Sequence, residues 1–261
     1  MSTDNTNAEE AFQGRVAIIT GASSGIGEAI ALSLGTKQAL VGVHYHSGRE
    51  RAMQVVRRIE AEGGRAVPLQ ADVSVADDVE RMFDAIARAF GERLDFLVNC
   101  AGEWMDATPI VTCTDAHWDR MFAVNAKSVF LCCRCAARRM IPQRQGAIVN
   151  LGSIAGHTGG GGGTVPYAAA KSAVHTFTRG LARELAGSGI RVNAVSPGMI
   201  DTPMLAGRIT TVARDKLLAT TPLGRFGAPE DVVPLVLTLL SAGGNFITGQ
   251  VFDVNGGLLM R

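Results

Sequence analysis

Short apolar runs alternate along the chain with longer stretches in which apolar residues recur every three or four positions. The short runs lie near 15–20, 39–45, 65–70, 94–99, 146–152, 190–196 and 250–254. Helical periodicity covers 25–35, 48–62, 76–90, 116–141, 166–187, 203–219 and 229–241. Alternation of this kind implies parallel strands joined by right-handed helical crossovers. The expected fold is therefore α/β: a doubly wound, parallel, seven-stranded sheet with helices on both faces. Most of the strand runs are continuously apolar, as strands covered on both sides must be.

Size and composition refine this. A chain of 261 residues with 47% hydrophobic content can bury a large core as one domain, expected over 13–261. Met1 to Glu10 is polar and acidic, and 1–12 reads as a disordered tail rather than a signal peptide. With a net charge of +1, nothing suggests a nucleic-acid footprint or an anionic membrane surface, and neither partner is expected. No apolar stretch reaches membrane-span length. Five cysteines, an odd number without disulfide-framework spacing, fit a reducing cytoplasm. Cys132 and Cys135 form a C-x-x-C, but it falls mid-helix, where small buried hydrophobes are expected rather than a redox or zinc site. No second Cys/His pair completes a metal site.

The first strand, Arg15 to Thr20, runs into Gly21-Ala22-Ser23-Ser24-Gly25-Ile26-Gly27, and a helix follows. Strand, glycine turn and helix together are the context of a dinucleotide fingerprint. Gly21 allows the tight turn, Gly25 lets backbone approach a pyrophosphate, and Gly27 lets helix pack on strand. The free N–H groups of the helix then face the phosphates. No Lys-Ser/Thr pair follows, so the turn is not a P-loop.

Tyr167 and Lys171 stand four residues apart in a helix-forming run, on one face and one turn apart. A cation beside a phenol favours the phenolate and brings it closer to acid/base work at neutral pH. Five consecutive glycines, Gly159 to Gly163, precede this helix and read as a mobile loop at the carboxyl end of the 146–152 strand, where open α/β sheets bind ligands.

Taken in order, these motifs resemble the short-chain dehydrogenase/reductase family over about 14 to 258. Thr20-Gly21-x-x-x-Gly25-x-Gly27 is similar to its cofactor motif. Asn99-Cys100-Ala101-Gly102 resembles its Asn-Asn-Ala-Gly signature, with Cys100 replacing the second Asn. Asn125, Ser153, Tyr167 and Lys171 fall where the family places its tetrad. Pro197-Gly198-Met199-Ile200-Asp201-Thr202 looks like the segment closing over the nicotinamide, and Ile247-Thr248-Gly249 with Asn255-Gly256-Gly257 looks like the usual ending. The resemblance implies a Rossmann fold and hydride transfer between a nicotinamide cofactor and a carbonyl or alcohol. It implies Tyr167 as proton donor, Lys171 as stabiliser of the phenolate and ligand of the nicotinamide ribose, Ser153 as holder of the substrate oxygen, and Asn125 as holder of a water between Lys171 and solvent. Read from the residues alone, Asn125 equally suits bonding to helix backbone, and Ser153 a turn. The interval from Ser153 to Tyr167 is one residue longer than the family spacing, and the glycine run absorbs it.

The family's acid at the end of the second strand is replaced by Tyr45, with His46, Ser47 and Arg49 following. Ser47 and Arg49, assisted by His46 or Ser24, can grip a 2′-phosphate, so NADP(H) is expected over NAD(H). Asp72 and Val73 resemble the adenine-contacting pair. Trp104, Met105, Ile154, His157, Val165, Met199, Met204 and Leu205 are expected around a moderately apolar substrate. The likeness is greatest to 3-oxoacyl-carrier-protein reductases, with sugar or polyol dehydrogenases and a catalytically silent dinucleotide sensor as the alternatives. Leu131 and Ser188 replace expected carrier-binding cations; Arg138, Arg139 and Arg144 are candidate substitutes. Apolar residues on several faces of 116–141 and 166–187, with the family's habit, imply a homotetramer.

Overall fold

The computed structural model describes residues 11–261. Of the tail expected over 1–12, residues 1–10 lie outside the described residues, but its end is packed. Phe12 is 3% exposed, with its ring 5.6 Å from that of Phe96. Burying an aromatic ring outweighs the entropy of ordering a few residues, so the core begins before the expected boundary at 13.

Seven strands form one sheet: β1 (Val16–Thr20), β2 (Leu40–Tyr45), β3 (Arg65–Gln70), β4 (Phe96–Asn99), β5 (Gly146–Leu151), β6 (Ile190–Pro197) and β7 (Val251–Val254). Their order is β3-β2-β1-β4-β5-β6-β7, and every pair is parallel. The central strands β1, β4 and β5 are buried throughout, whereas edge strand β3 alternates and carries Pro68. Chain progression reverses between β1 and β4, which opens a crevice at their carboxyl ends.

The helices are α1 (Gly25–Thr36), α2 (Arg49–Ala61), α3 (Ala76–Phe90), α4 (Asp115–Phe122), α5 (Ser128–Gln143), α6 (Ala155–Thr158), α7 (Val165–Leu185), α8 (Thr211–Thr220) and α9 (Pro229–Leu240). Ile30 and Leu34 of α1, Val55 and Ile59 of α2, and Val236 of α9 share one core with Ile19, Val41 and Val149. Phe83 of α3, Cys132 and Met140 of α5, and Val174 of α7 share the other with Ile18, Leu97 and Ile148. Both faces of the sheet are thus covered.

The structure departs from the sequence reading at three helices. The stretch 116–141 is two helices joined by a π-helical turn, Ala123–Lys127, with Asn125 inside it. In 203–219 only α8 is helical. Pro203 and Gly207 (φ +73°) break the first part, and the Thr210 hydroxyl, accepting from Ala213 N–H, caps the start of α8. Helix α6 spans four residues, too few to leave a periodic signal. Among the described residues no helix is long and apolar enough to cross a membrane.

Candidate active site

The glycine turn is built as its spacing demands. Thr20 Oγ1 accepts from the N–H groups of Cys100 and Ala101, both at 3.0 Å, which ties the end of β4 to that of β1. Gly21 (φ +66°) sits so near β4 that a Cβ would stand 2.8 Å from Ala101 Cα. A Cβ on Gly27 would lie closer than 3 Å to the carbonyl of Gly21, so this glycine serves helix–strand contact. No side chain caps the start of α1. Its opening residues Gly25 and Ile26 line the crevice, as Gly21, Ser23 and Ser24 do, an arrangement suited to an anion.

One residue of this frame carried no signal in the sequence. His44, buried at the end of β2, accepts the Gly21 N–H at Nδ1 (2.9 Å) and lies 3.1 Å from the Ala71 carbonyl through Nε2. Those partners fix the neutral tautomer with the proton on Nε2. Burial, the largest influence, pushes its pKa down to about 4. The turn is therefore held by a histidine that bridges the ends of all three strands on that side of the crevice.

The crevice has a volume of about 1000 Å³. Tyr45, His46, Ser47, Asp72 and Val73 line one end. Arg49 does not line it, being exposed on the first turn of α2; Arg51 does, with its guanidinium folded over Gly48. Sequence spacing alone cannot tell which side of a helix start turns inward. Ala101, Gly102, Pro197, Gly198, Ile200 and Thr202 line the middle. Asn99 does not: its amide donates to Asn150 Oδ1 (2.8 Å) and Cys133 Sγ (3.3 Å), inside the sheet. Asn99 is scaffold. Burial also pushes the thiols of Cys132, Cys133 and Cys135 upward, which makes them inert packing groups.

Asn125, Ser153, Tyr167 and Lys171, scattered over 47 positions in the sequence, converge on one wall. Lys171 is buried; its Nζ donates to the Leu151 carbonyl at 2.8 Å and lies 5.8 Å from the centre of the Tyr167 ring. Burial lowers the Lys171 pKa to about 8. The expected lowering of the Tyr167 pKa is not found. Burial pushes that phenol up, the Ser153 hydroxyl beside it works the other way, and Cys100 adds to the rise. Desolvation is the largest of these influences and sets the direction. Asn125 Nδ2 donates to the carbonyls of Glu103 (2.9 Å) and Met121 (3.1 Å), while Oδ1 accepts the Glu103 N–H (3.1 Å). Of the two readings of Asn125, bonding to backbone is the one its side chain makes.

Of the residues expected around a substrate, Trp104, Ile154, Met199, Met204 and Leu205 line the crevice, whereas Met105, His157 and Val165 do not. Glu103 and Arg120 pair there at 3.1 Å, and Arg208 reaches across to the Trp104 carbonyl. The glycine loop is folded rather than loose: Thr108 N–H donates to the Gly163 carbonyl (2.9 Å) and Gly161 N–H to Thr164 Oγ1 (3.0 Å). Arg138 and Arg139 are already paired with Glu80 (2.7 Å) and Asp84 (3.0 Å) of α3. No cluster of metal-binding side chains occurs among the described residues.

Residues 21–259 match a family model described as enoyl-(acyl carrier protein) reductase. The chain belongs to the short-chain dehydrogenase/reductase family. Such a chain is an NAD(P)-dependent oxidoreductase. It is 40% identical over 244 residues to a 3-oxoacyl-[acyl-carrier-protein] reductase of Staphylococcus aureus, covering 94% of this chain and 98% of that protein. A reductase of the same description from Thermotoga maritima is 39% identical over 249 residues, covering 95% and 99%. Among solved structures, a dehydrogenase/reductase from Sinorhizobium meliloti superposes with a TM-score of 0.91 at 35% identity, covering 99% of this chain and 100% of that one. The 3-oxoacyl-[acyl-carrier protein] reductase of Brucella melitensis gives 0.90 at 35%, covering 100% and 97%.

Proposed function

We propose that the protein reduces a 3-oxoacyl-type ketone to a secondary alcohol with NADP(H). The convergence of Tyr167, Ser153 and Lys171 on the wall of a glycine-turn crevice carries this reading. The crevice suits a dinucleotide because Gly25 lines it without a Cβ that would crowd Thr202, and because no side chain caps the helix amides at its mouth. When bound, the nicotinamide supplies a hydride to the carbonyl carbon. Tyr167 gives its phenolic proton to the carbonyl oxygen, and its raised pKa keeps that proton in place at neutral pH. The Ser153 hydroxyl donates a hydrogen bond to the same oxygen as negative charge develops. Lys171 balances the phenolate that remains. Asn125 acts through position, holding Glu103 against the π-helical turn.

Tyr45 stands where an acid would otherwise bind the adenosine ribose, and Ser47 and Arg51 line the crevice just beyond it, where a cation favours a 2′-phosphate. Trp104, Met199, Met204 and Leu205 suit an acyl chain better than a polyol. The expected homotetramer is supported by Trp118 and Phe130, 39% and 43% exposed on α4 and α5. Sedimentation showing only monomer would count against it.

The test is oxidation of NADPH, followed at its near-ultraviolet absorbance, with a 3-oxoacyl thioester, a simple ketone and an oxidised sugar offered in parallel. The acyl thioester is expected to react fastest. Tight NADPH binding with no turnover of any carbonyl would favour a silent sensor instead.

A further inference from the structure

Beside Ser153 lies a group of polar side chains with buried polar atoms that the proposed chemistry does not use. Eight buried side-chain polar atoms lack a hydrogen-bond partner among the described residues, and four belong together: His157 Nε2, His175 Nε2, Ser196 Oγ and Asp253 Oδ1. Ser196 pairs with Asp253 across β6 and β7, so their side chains share one face. Gly152 continues β5 past the Leu151–Val195 pair, on the other side of Ser196. That face is the one covered by α7, because Ile190 and Val192, in step with Ser196, pack with Val174 and Leu185.

His175 occupies the space above. It lies on α7, four residues beyond Lys171 and eight beyond Tyr167, hence close to the same stripe of the helix. A Cβ on Gly152 or on Gly156 would fall closer than 3 Å to its ring. These two glycines bracket Ser153, so the ring is wedged against the segment carrying that hydroxyl. His157, on α6 directly after Ser153, stacks on His175 with ring centres 4.3 Å apart. Its Nε2 is 3.3 Å from Asp253 Oδ1, while Asp253 Oδ2 accepts from Arg261 Nε at 2.8 Å. Asp253, His157 and His175 therefore run in line from β7 to the backbone of Ser153.

We propose that His175, tethered through His157 to Asp253, is a positioning residue for Ser153, and that protonation of His157 sets an acid limit on turnover. The inference rests on the ketone-reductase reading for its effect on rate. The groups facing His157 are Asp253 on β7, His175 and Arg179 on α7, and Arg261 at the end of the described chain; Lys171 faces the adjoining His175 ring. One carboxylate is set among these cations. Burial and the arginines accordingly hold the His157 pKa below its ordinary value, and burial pushes His175 down to about 3. Both rings are thus neutral above pH ~6.5. Adding a proton to His157 puts a charge against Arg179 and Arg261 and against a neutral ring that has no hydrogen bond to offer in return. The stack loosens, and α6 with Ser153 moves away from Tyr167.

The experiment measures the pH profile of kcat in wild type, His157→Phe and His175→Leu, with NADPH affinity and thermal unfolding read for each. Wild type is expected to lose rate on the acid side of the ordinary histidine range, since the His157 pKa is held down. His157→Phe keeps a stacked ring that takes no proton, and should lose that limb. His175→Leu should lower kcat about tenfold or more, with KM and NADPH affinity little changed. An acid limb that persists in His157→Phe overturns the proposal, as does an unchanged kcat in His175→Leu. A readout without turnover accompanies it: the Gly152 and Ser153 amide resonances of the wild-type protein should move with the titration of His157. Amides indifferent to that titration overturn the proposal whether or not the variants fold. If no carbonyl is turned over, the reductase reading fails, while the amide shifts still decide whether His157 moves Ser153.

Discussion

Asn125 Oδ1 and Lys171 Nζ approach the same face of Gly102, at 2.8 Å and 3.4 Å from where a Cβ on that glycine would stand. The glycine is needed for space, since its backbone is not in the left-handed region. Gly102→Ala should push the Asn125 amide off its Glu103 partners and crowd the ammonium. A fall in kcat of about tenfold to a hundredfold is expected, with the fold intact by circular dichroism. Full activity in Gly102→Ala would show that the close approach has no bearing on the reaction.

Tyr167→Phe removes the proposed proton donor and keeps the ring. Turnover should fall on the order of 10²–10⁴-fold, the usual worth of a positioned general acid. NADPH binding, measured by fluorescence titration, should persist because the glycine turn lies on other elements. A variant retaining wild-type kcat would remove Tyr167 from the mechanism.

Lys171 carries a cost in stability. Its pKa is pushed from 10.5 to about 8, so between those values the unfolded chain holds more protons than the folded one. Below pH 8 the folded protein bears a buried charge it would be more stable without, by roughly 1–3 kcal/mol. Lys171→Met should therefore raise the melting temperature at pH 7 while abolishing turnover. The gain should shrink as pH rises from about 8 to 10.5. A lower melting temperature would mean that the bond to the Leu151 carbonyl outweighs desolvation.

All seven strands were legible in the sequence, the central ones because strands buried on both sides write continuous apolar runs that need no partner to be recognised. The glycine turn and the Tyr167–Lys171 pair were legible for another reason: each is local, with its geometry fixed by spacing along one element. What the sequence hid depends on contacts between elements. Asn99 looked like a cofactor ligand until its amide was seen bonded to Asn150 and Cys133. The rise in the Tyr167 pKa needed the burial of the whole wall. Phe12 sat among polar residues, and only its partner Phe96 explains it.

Arg51 and Arg49 separate by experiment what spacing could not. Arg51 lines the crevice beside Ser47 and Gly48, and Arg49 does not. Arg51→Ala should raise the KM for NADPH by about tenfold to a hundredfold, the worth of one charge-assisted contact of roughly 1.5–3 kcal/mol. The KM for NADH should hardly change, and Arg49→Ala should leave both near wild type. Equal losses with both cofactors in Arg51→Ala would point to a structural role and count against a contact to a 2′-phosphate.

His44 ties acid stability to the glycine turn. The ring serves as acceptor for Gly21 N–H only while Nδ1 is unprotonated, and its folded pKa is about 4. An unfolded histidine takes a proton near 6.5, so the unfolded state binds more protons between about 6.5 and 4. Stability from this residue is full above that window and falls as pH drops through it, by roughly 3 kcal/mol in total. His175, pushed down to about 3, slopes in the same direction, so the comparison must be with a His44 variant rather than with neutral pH alone. In His44→Phe the Gly21 N–H has no acceptor, and the protein should be less stable at pH 7 by about 1–3 kcal/mol. Its urea midpoint should then fall less steeply between pH 7 and 4.5 than that of wild type. Parallel curves for the two proteins would place the acid sensitivity elsewhere in the molecule.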